Sequence, residues 1–131
     1  MSEASTGIHD RFVERDGRRH AGIHVIADLW DAHDLDDPAA LEAALREAAL
    51  AAGATILDCR LHHFSPNLGV TGVLLLAESH ISIHTWPEHD FAAVDIFLCG
   101  DADPDAAVAV LRRRLQPGRV AIQTLRRGLM P

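Results

Sequence analysis

The chain has 131 residues, 12 Lys and Arg against 19 Asp and Glu, a formal net charge of −7, and 48% hydrophobic with 24% charged residues. That length suits one domain around one core. The acidic balance works against a nucleic acid as partner, since such binding needs Lys and Arg to neutralise phosphates, and no apolar run reaches the roughly 20 residues of a membrane-spanning helix.

Residues 1–20, MSEASTGIHDRFVERDGRRH, are polar and lack the apolar centre of a secretory signal, so they are expected to form a flexible arm ahead of a single domain over 21–131, with the cytoplasm as location. Gly22–Trp30 has the β-branched and apolar content of a strand. Asp37-Pro38 then sets a capping carboxylate and a first-turn proline before AALEAALREAALAA, a helix with Leu41, Leu45, Ala48 and Ala52 on one face and Gly53 as its stop. Thr55 to Phe64 reads as a strand in which Leu57, Cys59 and Leu61 share a face, followed by a turn at Ser65-Pro66-Asn67. Gly72 to Ala77, His80 to Trp86 and Phe91 to Cys99 are further strands, the second ended by Pro87. Asp103-Pro104 repeats the helix start ahead of DAAVAVLRRRL, whose arginines suit a helix carboxyl end, and Val120 to Leu125 closes the chain as a strand. The expected fold is α/β in the sense of an α+β two-layer sandwich, an antiparallel or mixed sheet with two helices packed on one face.

The run LLLAESHISIHTWPE, Leu74 to Glu88, breaks an apolar strand pattern with Glu78-Ser79-His80. Burying such groups is costly unless they are paired, so they point to a site. A metal is the first reading to weigh, because His62, His63, His80, His84 and His89 crowd one region. On a strand, however, His80 and His84 lie about 13 Å apart and do not chelate one ion through that spacing alone; a composite site with His62 or His89 is the weaker alternative, and no metal is expected. Ser79 lacks the GxSxG elbow of a hydrolase. Alternation puts His80, Ser82, His84 and Trp86 on one face, with Ile81, Ile83 and Thr85 on the other. Cys59 and Cys99, without a CxxC spacing, leave thiols free for chemistry.

From about Gly17 to Gly128 the chain resembles the short, prokaryotic-type S-adenosylmethionine decarboxylases, pyruvoyl enzymes of spermidine and polyamine synthesis. The segment AESHISIHTWPEHDFAAVDIFLCGDADP, Ala77 to Pro104, carries most of the resemblance, supported by ADLW, HHFSPNLGVTG and RRG. The resemblance implies self-cleavage between Glu78 and Ser79, giving a β chain of residues 1–78 and an α chain of 79–131 that begins with a pyruvoyl group made from Ser79. That ketone would take the substrate amine as a Schiff base and accept the electrons released with carbon dioxide. It further implies that His84 and Thr71 assist processing, Thr71 standing where the family usually has Ser, that Cys99 donates a proton to the substrate carbon, that Glu88 accepts hydrogen bonds from ribose hydroxyls, and that Phe64 stacks on adenine. A homodimer of αβ units is implied as the assembly.

Asp31 after ADLW and Asp90 after Trp86-Pro87-Glu88-His89 stand at frequent glycine positions of the family, and the turn Pro66 to Gly69 carries an extra residue. Added carboxylates suit the S-adenosylmethionine sulfonium, and equally a guanidinium or second ammonium, so decarboxylation of arginine or ornithine is the alternative activity. A third reading is an unprocessed regulatory subunit, against which the retained Ser79, His84 and Cys99 weigh.

Overall fold

The structure, a computed structural model, describes residues 12–130. Its elements are β1 (Val13–Arg15), β2 (Arg18–His20), β3 (Gly22–Trp30), α1 (Pro38–Ala52), β4 (Ile56–His63), β5 (Val70–Leu76), β6 (Ser79–Trp86), a 3-10 turn (Pro87–His89), β7 (Phe91–Cys99), α2 (Pro104–Leu115) and β8 (Arg119–Arg127). Six strands form one sheet in the order β4-β5-β6-β7-β3-β8, every neighbouring pair antiparallel, while β1 and β2 form a separate ladder. The expected two-layer sandwich is thus observed, with a sheet that is antiparallel throughout.

Both helices begin as the sequence dictates. The Asp37 carboxylate accepts from the Ala40 N–H and that of Asp103 from Asp105 and Ala106, each capping amides that a helix start leaves without partners. Gly53 ends α1 in the left-handed conformation that glycine adopts without a steric penalty. Leu41, Ala44, Leu45 and Ala48 from α1 and Ala107, Leu111 and Leu115 from α2 pack with Val25, Leu29, Leu74, Ile81, Ile83 and Ile96 of the sheet. Each fully buried Leu or Ile contributes about 1.5–3 kcal/mol, and together they fix which sheet face meets the helices. His24, Asp28, Trp30, His80, Ser82, His84, Trp86, Phe91, Asp95 and Phe97 alternate with those core residues along their strands and so lie on the other face.

Two expectations need correction. Leu57 does not share the core face of β4: the register shifts between Ile56 and Asp58, so Ile56 packs on the core and Leu57 is 65% exposed. A bulge inserts one residue and reverses the alternation, which composition does not announce. The flexible arm expected over 1–20 is also too long. Residues 13–20 form the β1–β2 hairpin, held to the far end of the chain: Arg18 donates to the Met130 carbonyl at 2.9 Å, Met130 N–H to Arg19 at 2.9 Å, and Arg126 to the Arg15 carbonyl at 2.7 Å. The segment is ordered by hydrogen bonds with Arg126 and Met130 at the far end of the chain, so its own polarity misleads. Residues 1–11 lie outside the described residues.

His20, only 1% exposed, ends that hairpin with Arg126 at 3.4 Å from its Nδ1. Burial first, then Arg126 and Arg15, hold its pKa below the ordinary value of 6.5. The unfolded chain therefore takes up the proton more readily, and the stability His20 confers is complete above about pH 6.5 and declines as pH falls toward the lowered folded value. Melting temperature followed across this window should fall with acid, and His20→Gln should lose part of that dependence; an identical pH profile in the variant would contradict the assignment.

Candidate active site

The β5–β6 hairpin closes on the pair Leu76 and Ser79, leaving Ala77 and Glu78 as its turn. Glu78 has φ 59°, the left-handed region that a residue with a Cβ rarely occupies. Immediately after it the Ser79 hydroxyl turns toward the end of β7. It accepts the Cys99 N–H at 3.1 Å and donates to Cys99 Sγ at 3.3 Å, while that sulfur lies 3.8 Å from the Ala77 carbonyl oxygen. Cys99 is buried and both cysteines are free. At Cys59, burial first and Glu42 next push the thiol above its ordinary pKa and keep it protonated at neutral pH.

Thr71 and His84 face each other across β5 and β6, with Thr71 Oγ1 3.1 Å from His84 Nδ1. Beside them Phe64, Leu68, Trp86 and Glu88 line a cavity of about 340 Å³, and a neighbouring recess of about 310 Å³ shares Thr71 and His84 and reaches Arg60, His62 and Ser82. Phe64 is 59% exposed, braced by the edge of His62 at 4.7 Å between ring centroids, and its N–H donates to Gly69. Glu88 stands in the 3-10 turn that Pro87 opens.

The seven residues singled out by sequence therefore fall into two groups. Glu78, Ser79 and Cys99 lie at one end of β6, and Thr71, His84, Phe64 and Glu88 at the other. Ser79 and His84 are five residues apart on one strand, hence about 16 Å at about 3.3 Å per residue. The chain alone does not bring them together.

Asp31 and Asp90, the carboxylates at frequent glycine positions of the family, stand between elements, after β3 and before β7. Both have positive φ, 57° and 51°, which is why glycine is usual there and why Asp, one of the few other residues that tolerates this conformation, replaces it. Neither lines the 340 Å³ cavity. Asp31 packs its carboxylate against Gly118, and the Asp90 carbonyl accepts from Ala32.

Three features escaped the sequence reading. Trp86, Phe91 and Trp30 stack in a row, at 5.4 and 4.3 Å between centroids, ended by Arg119 over Trp30; cross-strand register, not pattern, makes that row. Thr85 is a buried hydroxyl on the core face, a signal visible in the alternation though its partners are not. Among the described residues, His24, His80 and Asp95 each bring one potential metal ligand within 4.8 Å of the others. Arg127 lies 3.1 Å from His24 Nδ1 and can only donate, so the His24 proton sits on Nε2 and is given to Asp95 at 3.3 Å. Arg127, His24 and Asp95 thus form a hydrogen-bond chain, with the His80 ring edge-on to His24 at 6.3 Å between centroids.

A family profile described as S-adenosylmethionine decarboxylase matches residues 23–128. An S-adenosylmethionine decarboxylase proenzyme of Thermomicrobium roseum is 44% identical over 110 residues, covering 83% of this chain and 95% of that one. Proenzymes of the same name from Methanococcus aeolicus and Parasynechococcus marenigrum are 48% and 52% identical over 115 and 109 residues, covering 86% and 81% of this chain and 97% and 84% of theirs. The crystal structure of the adenosylmethionine decarboxylase from Aquifex aeolicus is similar with a TM-score of 0.77 and 37% identity, over 86% of this chain and 94% of that one.

The cavity depends on the close passage of Gly69 over β6, where an added Cβ would overlap the Thr85 carbonyl oxygen. Gly69→Ala should destabilise the fold by about 1–3 kcal/mol, the usual cost of overpacking. Urea denaturation checks this, and an unchanged midpoint would contradict the packing described.

Proposed function

The chain belongs to the S-adenosylmethionine decarboxylase family, and we propose that it is a self-processing, pyruvoyl-dependent decarboxylase of S-adenosyl-L-methionine that works as a pair of copies. The observation that carries this reading is the Ser79 hydroxyl held by Cys99 directly after a left-handed Glu78. A serine in that setting fits the precursor of a pyruvoyl group: its oxygen is fixed, and the carbonyl it would attack lies in an exposed tight turn.

Processing begins with attack of Ser79 Oγ on the Glu78 carbonyl carbon. The peptide C–N bond breaks, an ester forms, and the freed Ser79 nitrogen takes a proton. Removal of the Ser79 α-proton expels the Glu78 carboxylate and leaves dehydroalanine, which water converts to the pyruvoyl group and ammonia. The left-handed Glu78 contributes about 1–2 kcal/mol of strain, which accounts for only about one order of magnitude in rate. Orientation of Ser79 and polarisation of the carbonyl must therefore supply most of the acceleration.

The α-proton needs a base, and His84, hydrogen-bonded to Thr71, is the imidazole assigned to it. At about 16 Å on the same strand it does not reach its own Ser79. A second copy placed antiparallel over the open sheet face brings His84, Thr71, Phe64 and Glu88 of one chain to Ser79 and Cys99 of the other, and two-fold symmetry makes two equal sites. Cleavage would not release the fragments, because β3 of the β chain lies between β7 and β8 of the α chain.

In such a site the pyruvoyl group supplies a carbonyl that binds the substrate amine and withdraws the electron pair left by carbon dioxide. Cys99, 3.3 Å from Ser79 Oγ, is placed to return a proton to the substrate carbon. Exposed Phe64 offers a face for adenine and Glu88 two acceptors for ribose hydroxyls, across a cavity that both line. The names of the relatives, S-adenosylmethionine decarboxylase proenzymes, favour this nucleoside over arginine or ornithine.

Denaturing mass spectrometry of the purified protein should give two fragments meeting at Glu78/Ser79, with Ser79→Ala remaining one folded, inactive chain. Carbon dioxide release should occur with S-adenosylmethionine and not with arginine or ornithine. A single uncut chain without activity, or release from an amino acid alone, would overturn the reading.

A further inference from the structure

Thr85 follows His84 on β6 but points to the opposite, helix-facing side, where it is 5% exposed. Its hydroxyl donates to the Leu35 carbonyl at 2.7 Å and accepts the Val70 N–H at 2.9 Å. The β5–β6 ladder ends at the pair Thr71 and His84. One step beyond it, Val70 finds a side-chain hydroxyl on β6. The regular pairing stops here, beside the cavity lined by Phe64, Leu68, Trp86 and Glu88. A single hydroxyl thus spans the gap, between the residue next to Thr71 and the residue next to His84. It also ties both to the loop before α1, whose Leu35 is itself buried.

We propose that Thr85 is a positioning residue for self-processing: its hydroxyl holds the Thr71 and His84 backbones in the register that makes their 3.1 Å contact. Valine would fill the same space but leave the Val70 N–H and the Leu35 carbonyl buried without that partner, so the strands would separate or shift to find others. Serine keeps the hydroxyl and loses only a methyl. A Thr85 that merely stabilised the fold would change the melting temperature in proportion to lost packing and would leave the cleavage rate of the folded chain alone. The proposal rests on the reading of Thr71 and His84 as processing residues, and its test separates the two.

Cleavage is followed on gels after the chain is synthesised in a cell-free system, for the unaltered protein, Thr85→Ser, Thr85→Val and Thr85→Cys, the last a weaker hydrogen-bond partner that is used should the valine variant not fold. Thr85→Ser should cleave within about twofold of the unaltered rate and the others about ten- to a hundredfold more slowly, the scale of a small misplacement of a reacting group. In the uncleavable Ser79→Ala chain, the His84 ring-nitrogen resonances should move on Thr85→Val and stay in place on Thr85→Ser. Equal rates in all folded variants, or a serine variant as slow as valine, overturn the proposal while leaving the processing reading intact. An unaltered chain that never cleaves overturns both.

Discussion

Strand geometry is the constraint on which the rest depends. A β-strand advances about 3.3 Å per residue, so the five residues from Ser79 to His84 carry these two groups to opposite ends of β6. Everything the family resemblance assigns to one active site is divided by that rule: a nucleophile with its cysteine at the β5–β6 turn, and a threonine–histidine pair with an aromatic and a carboxylate at the other end. No side-chain rotation closes such a distance. In the proposed two-copy arrangement a second chain closes it by symmetry, which makes assembly a condition of the chemistry.

The sheet order reconciles self-cleavage with stability. A cut between Glu78 and Ser79 severs the β5–β6 turn but leaves three ladders joining the fragments, β5 to β6, β7 to β3 and β3 to β8. Because β3 is enclosed by strands of the other fragment, separation requires loss of the central sheet and of the core beneath it. The same interleaving means that the fold must be complete before the turn can be cut usefully, since Ser79 is oriented by Cys99 from β7. The β1–β2 hairpin adds a further tie, as its partners are Arg126 and Met130 at the far end of the chain.

Local chemistry made much of this legible. The Asp37-Pro38 and Asp103-Pro104 starts, the Gly53 stop and the alternation of Gly22–Trp30 and Phe91–Cys99 each specify their element through neighbours in sequence, and the structure has them there. What depended on distant partners was not legible. Leu57 turned outward because of one bulge, residues 13–20 were ordered by hydrogen bonds with Arg126 and Met130 more than a hundred positions away, and the left-handed backbone at Asp31 and Asp90 carried no glycine to mark it. The site residues were identified as types by resemblance. That they form two groups emerged only when β6 had a register.

The central claim, one site built from two copies, is tested most directly by co-expressing a Ser79→Ala chain with a His84→Ala chain and isolating the mixed pairs. Each variant alone should remain uncut. In the mixed pair the His84→Ala chain, which keeps Ser79 and Cys99, should be cut at Glu78/Ser79 by the His84 of its neighbour. Isolated mixed pairs that stay intact, or a His84→Ala chain that cleaves as fast by itself, would contradict the account.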